Sequence, residues 1–113
     1  MQTSYSILAL TVAAAGPLIA ERLVTQAGAY PAAGGAAFGV TRTNAAHKGD
    51  LVPVDVQGTA IAEAGGAFAL DDALSVDAQG RVVKAAAGVG VARAMEAATG
   101  AGAQVEVLLT PSA

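Results

Sequence analysis

Acid–base work needs two carboxylates with different environments, and Asp71-Asp72 is the best-placed pair in the chain. Neighbours on a turn usually stay solvated and local, so this pair points away from catalysis. Asp55 and Glu63 are carboxylates that only a fold would bring together. With Asp77, the Asp71-Asp72 pair would make a weak calcium site, well short of the ligand density of calcium loops. His47 is the single imidazole, set between Ala45-Ala46 and Lys48-Gly49, which reads as an exposed turn. Without cysteine, the chain can build neither a thiolate metal site nor a Cys/His nucleophile pair. Ser4, Ser6, Ser75 and Ser112 lack the strand-turn-helix setting of a nucleophile elbow. Gly88-Val89-Gly90 has no third glycine and opens no helix, so it reads as a kink before a strand. No catalytic residue, cofactor site or metal site is expected.

Arg42 and Arg93 are the charged residues with most to offer. Across strands they would pair with Asp55, Glu96 or Glu106, which is worth little if exposed. They would otherwise anchor an acidic partner through bidentate contacts. They draw attention together because the chain writes their surroundings twice. Gly39, Val40 and Arg42 fall on Gly90, Val91 and Arg93, while Leu23 falls on Leu74 and Ala20-Glu21 on Asp71-Asp72. After two extra residues in the second loop, Gly49, Val52 and Val54 fall on Gly102, Val105 and Val107. Two β-rich units of about fifty residues are implied, too few for a solenoid, hence one pseudo-symmetric domain.

Composition sets the scale. At 113 residues there is room for one core. The hydrophobic share of 54% is largely alanine, with two Phe, two Tyr and no Trp, so the core buries little large apolar area. Self-association or docking would supply the missing stability. A net charge of −3, with six scattered Lys and Arg, argues against a nucleic-acid partner. The apolar residues 7–20 follow no Lys or Arg, as a signal peptide would require, and Gly16-Pro17 interrupts them. They are also too few to span a bilayer.

Taken in order, residues 1–6 read as a flexible arm. Residues 7–12 form an unbroken β-prone run, expected as a strand buried on both faces. Residues 22–26 are expected as a strand, and residues 27–37 hold too many glycines and prolines for a regular element. Residues 38–43 make the next strand. Residues 51–57 alternate, with Val52, Val54 and Val56 on one face and Leu51, Pro53, Asp55 and Gln57 on the other. Pro53 cannot donate to a ladder, which predicts an edge strand or a bulge. Residues 59–63 continue the strand, and Asp77-Ala78-Gln79-Gly80 is a hairpin turn. Residues 95–98 have room for one helical turn, and residues 104–109 form the last strand. The pattern predicts an all-β domain, a small β-barrel or β-clip-like sandwich with an internal pseudo-duplication. Its two similar halves would cover about residues 7–57 and 58–110.

Leu18 to Thr25, Gly39-Val40-Thr41-Arg42-Thr43-Asn44-Ala45-Ala46 with Gly49-Asp50, and Val54-Asp55-Val56-Gln57-Gly58-Thr59-Ala60 resemble capsid cement proteins, the head decoration proteins of tailed bacteriophages. Ala73-Leu74-Ser75-Val76-Asp77-Ala78-Gln79-Gly80-Arg81 and Gly90-Val91-Ala92-Arg93-Ala94 resemble the second half of the same family. Pro53 departs from the pattern, where a ladder donor is expected. The resemblance implies a non-enzymatic virion protein on the outer capsid surface, reinforcing joints between major capsid protein subunits. It also implies self-association, with trimers at local three-fold positions favoured over dimers or monomers. Thr3, Ser4, Tyr5, Ser6, Arg42 and Arg93 become the candidate capsid or subunit contacts, with the arm ordering on the capsid by strand addition or groove binding. The alternative reading is a secreted or displayed carbohydrate- or surface-binding β module, for which the aromatic supply is poor.

Overall fold

Short apolar runs separated by glycine-rich turns fold here into strands alone. The computed structural model describes residues 6–85 and 90–110, and no helix occurs among them. The strands are β1 (Ser6–Ala13), β2 (Leu23–Val24), β3 (Gly39–Thr41), β4 (Leu51–Glu63), β5 (Ala73–Val76), β6 (Val82–Lys84), β7 (Ala92–Ala94) and β8 (Gln104–Leu109). They pair antiparallel in the order β2-β3-β4-β8-β7-β5-β6, and β1 also pairs with β4. The result is an all-β single domain with a nearly closed, barrel-like sheet.

β4 belongs to two small barrels. Its first part runs between β1 and β3, with Val52 opposite Val12 and Thr41 opposite Val54. Its second part pairs with β8, with Ala62 opposite Val105. Gly58 stands at the change-over with φ of 99°, a backbone state that side chains other than glycine rarely adopt. Beyond β1, the Ala15 N–H donates to Gly28 O at 3.0 Å, closing the first barrel against the segment after β2. Beyond β4, Gly65 donates to Val82 O at 2.8 Å and closes the second barrel on β6.

The duplication is written in hydrogen bonds. Ala14 and Gly49 exchange with Asp50 and Ala14 as Ala64 and Gly102 do with Ala103 and Ala64. The reciprocal pair Leu18 and Ala45 recurs as Phe68 and Ala98. Glu21 donates to Thr41 O, and Asp71 donates to Ala94 O; both donors sit at positive φ, 65° and 68°. Leu23 opposite Val40 recurs as Ala73 opposite Arg93. The offset is therefore fifty residues as far as β2 and fifty-three from β3 onward.

That register corrects the sequence alignment. Arg42 corresponds to Met95, and Arg93 corresponds to Val40, so the two arginines are not equivalent. A Gly-Val-x-Arg match drawn from abundant residue types slid by two positions. Gly49, Val52 and Val54 do correspond to Gly102, Val105 and Val107.

Pro53 corresponds to Glu106, and this explains a proline inside a strand with neighbours on both sides. The Glu106 N–H leaves the ladder and donates to the Glu96 side chain at 2.9 Å. At Pro53 that donor is not needed, because the β3 ladder ends beside it, where Arg42 N–H reaches Pro53 O at 3.0 Å. The β3 side of β4 thus has a local edge at this residue, as a proline requires, and no bulge occurs there. Residues 95–98 form bends and a bridge rather than a helical turn, and the strand expected over 22–26 shortens to β2.

Each barrel has a core of its own. Val12, Ala14, Leu18, Val24, Ala45, Val52 and Val54 fill the first, and their counterparts Ala62, Ala64, Phe68, Leu74, Ala98, Val105 and Val107 all lie in the second. Leu23 and Val40 belong to the first copy yet are buried in the second core, beside Ala60. The halves thus pack head to tail, the back of β2–β3 against the leading strand of the next copy. Leu23 N–H to Gly80 O at 2.7 Å and Glu63 N–H to Glu21 O at 2.9 Å tie this seam. Arg22 spans it as well, donating to both Glu63 carboxylate oxygens at 3.2 and 3.1 Å and to Gln79 O at 3.0 Å.

Candidate functional site

The carboxylates do not assemble into a catalytic set. Asp71 is exposed on its tight reversal, while Asp72 accepts from Ala69 N–H at 2.8 Å and lies 3.9 Å from Lys84. Asp77 shapes its own hairpin by accepting from Gln79 and Arg81 N–H groups, and it pairs with the Arg81 side chain at 2.9 Å. Among the described residues no group of His, Asp and Glu gathers with metal-ligand geometry. His47 is exposed in its turn, where Asp50 accepts from the Ala46 and His47 N–H groups.

Thr3, Ser4 and Tyr5 lie outside the described residues. Ser6, expected in the arm, opens β1 opposite Gly58. Arg42 stands on the rim of the seam, half exposed, with its Nε 3.7 Å from the buried Asp55 carboxylate. Of the three acidic partners weighed for it, Asp55 is the one it meets. Arg93 is exposed on the far side of the second barrel, and its side chain makes no hydrogen bond or ion pair with the described residues. The two arginines form no common site.

Sequence reasoning missed the surface that stands out. β1 is a strand as expected, but it is not buried on both faces: all its residues except Val12 are exposed. Ile7 is 76% exposed and Leu10 42%. With Phe38, Val56 and Leu109 they line an open groove of about 560 Å³. The duplication sets the strand against its counterpart. Leu10 corresponds to Ala60, which Leu23 and Val40 cover from the first copy, whereas Leu10 itself is exposed. At the other end, Ala73 and Arg93 occupy the places of Leu23 and Val40 and remain exposed. The signal was present in the contrast of Leu8 and Leu10 with Gly58 and Ala60, but only the correct register exposes it.

Comparison with known proteins decides what kind of molecule carries this face. The phage cement protein family matches residues 1–109. The chain belongs to that family. Among solved structures, the cement protein is similar to "head fiber gp8.5 N base in bacteriophage phi29", with a TM-score of 0.73 and 22% identity. The likeness covers 93% of this chain and 95% of that one, and at this identity it speaks for the fold. No curated protein sequence matches. Family membership gives the cement protein a structural, capsid-associated role. Among the described residues no aromatic platform for a carbohydrate stands exposed. Phe68 is buried, while Tyr30 and Phe38 are half-buried against the first core.

Proposed function

We propose that this cement protein binds the outer surface of the capsid, stabilises contacts between major capsid protein subunits, and does so without catalysis. The observation that carries the reading is the uncovered apolar face of β1, in a chain matched by a phage cement family over nearly its whole length. An apolar strand left bare in a small domain marks an interaction surface. Docking it would add the buried area that an alanine-rich core lacks.

Self-association, as trimers or else dimers, belongs to the same reading. The head-to-tail packing of the two halves supports it. It leaves two ends open, β1 at one and the outer side of β5 and β7 at the other. A heterologous contact of this kind closes into a ring when the rotation allows. Thr3, Ser4, Tyr5, Ser6, Arg42 and Arg93 are proposed as contacts to the capsid or to a neighbouring subunit.

Co-sedimentation with undecorated phage heads tests the proposal. Saturable binding to expanded heads, at a fixed ratio to the major capsid protein and absent from unexpanded shells, is the expected result. Folded protein that sediments with neither would overturn it.

A further inference from the structure

The seam between the barrels holds a second, smaller cavity of about 150 Å³, lined by Glu21, Val40, Thr41, Arg42, Asp55 and Ile61. Asp55 is among its lining residues, and its side chain is only 6% exposed. Its Oδ1 is buried and accepts no hydrogen bond. The nearest cationic nitrogen, Arg42 Nε, lies 3.7 Å away, close enough to offset charge but too far to donate. A buried carboxylate oxygen without a donor is a costly state. The fold does not require it. The second barrel builds the same corner from Ala94, Met95 and Leu108, in place of Thr41, Arg42 and Asp55.

We propose that this cavity receives a primary ammonium on an aliphatic stem: a lysine side chain of a partner protein. Two carboxylates against one guanidinium leave the lining net negative. Asp55 Oδ1 is unpartnered and the Glu21 carboxylate, which accepts from Gln104 Nε2, lines the same cavity; two separate acceptors suit the three divergent donors of an ammonium better than the planar fork of a guanidinium. Val40 and Ile61 supply apolar walls for the methylenes. Arg42, 52% exposed in its side chain, stands at the rim and competes for the same carboxylate. On the capsid-binding reading, the lysine comes from the shell.

The first probe is n-butylammonium chloride, titrated into isotopically labelled full-length protein and followed by amide NMR, with n-butanol and sodium chloride as controls. Saturable shifts confined to residues 40–42, 55 and 61 are expected. Asp55→Asn should weaken binding about tenfold and Glu21→Gln about threefold, since each removes one charged acceptor. Arg42→Gln should tighten binding, because it removes the competing cation; a purely structural role for Arg42 would not give that sign. Shifts shared with n-butanol, or constants unchanged in all three variants, would mean that the cavity holds water only and would overturn the proposal.

Expanded heads provide the second probe. Wild-type binding weakened about tenfold by Asp55→Asn supports a shell lysine, whereas equal binding of the two removes it. If the wild type does not bind heads, the capsid reading falls, and the butylammonium titration alone decides the cavity.

Discussion

The first and second barrels share one hydrogen-bonding plan and treat their leading strands in opposite ways. In the second, the leading strand is the end of β4, and Ala60 is buried under the first copy. In the first, the leading strand is β1, with larger side chains and no cover. The residues doing the covering differ too, Leu23 and Val40 in one copy and Ala73 and Arg93 in the other. Among the described residues, head-to-tail packing leaves the face of β1 exposed on one side and Ala73 and Arg93 exposed on the other. Here one end is apolar and the other carries an arginine, so the ends are distinct surfaces rather than leftovers.

Core truncation gives the largest test of that comparison. Leu74 fills the second core at the place where Val24 fills the first, and both are fully buried. Leu74→Ala should cost about 3 kcal/mol in denaturant unfolding. Val24→Ala removes less side chain and should cost less. If the two costs are equal, the barrels are not packed as differently as their residue sizes imply.

Strand spacing sharpens the comparison next. A Cβ on Gly39 would collide with the backbone oxygen of Asp55, so β3 presses on β4 more closely than side chains allow. The second barrel has Ala92 at that place. Gly39→Ala should destabilise by about 2 kcal/mol through overpacking, and Ala92→Gly by no more than about 1 kcal/mol through chain entropy. Thermal unfolding of the pair measures both.

The smallest effect on stability is expected at the bare face. Leu10→Ser should change the unfolding free energy by less than about 0.5 kcal/mol, yet reduce self-association in analytical ultracentrifugation. A variant that self-associates like the wild type would move the subunit contact away from β1.

Much of this fold could be read from the sequence. Alternation in residues 51–57 and 104–109 gave strands that the structure contains, and the Asp77–Gly80 hairpin followed from its turn residues. The duplication was legible as well, though not its register. Gly-Val-x-Arg is made of residue types that recur throughout the chain, whereas the matched hydrogen bonds run through Ala14, Leu18 and Ala45, which carry no distinctive side-chain signal. Burial was misjudged in both directions for one reason: alternation reports the two faces of a strand, not what lies over them. β1 reads as buried but lacks its cover. Asp55 reads as outward, yet its residue is 4% exposed between β1 and β3.

One strand shared by two barrels also has a mechanical meaning. No flexible linker separates the halves; β4 passes from one to the other as unbroken backbone, turning at Gly58. At roughly 3.3 Å per residue an extended strand of this length is about as long as the molecule itself, whose longest dimension is 36 Å. Tension applied at one end therefore travels through covalent bonds along a built-in tie rod, and side-chain contacts need only keep the rod from buckling.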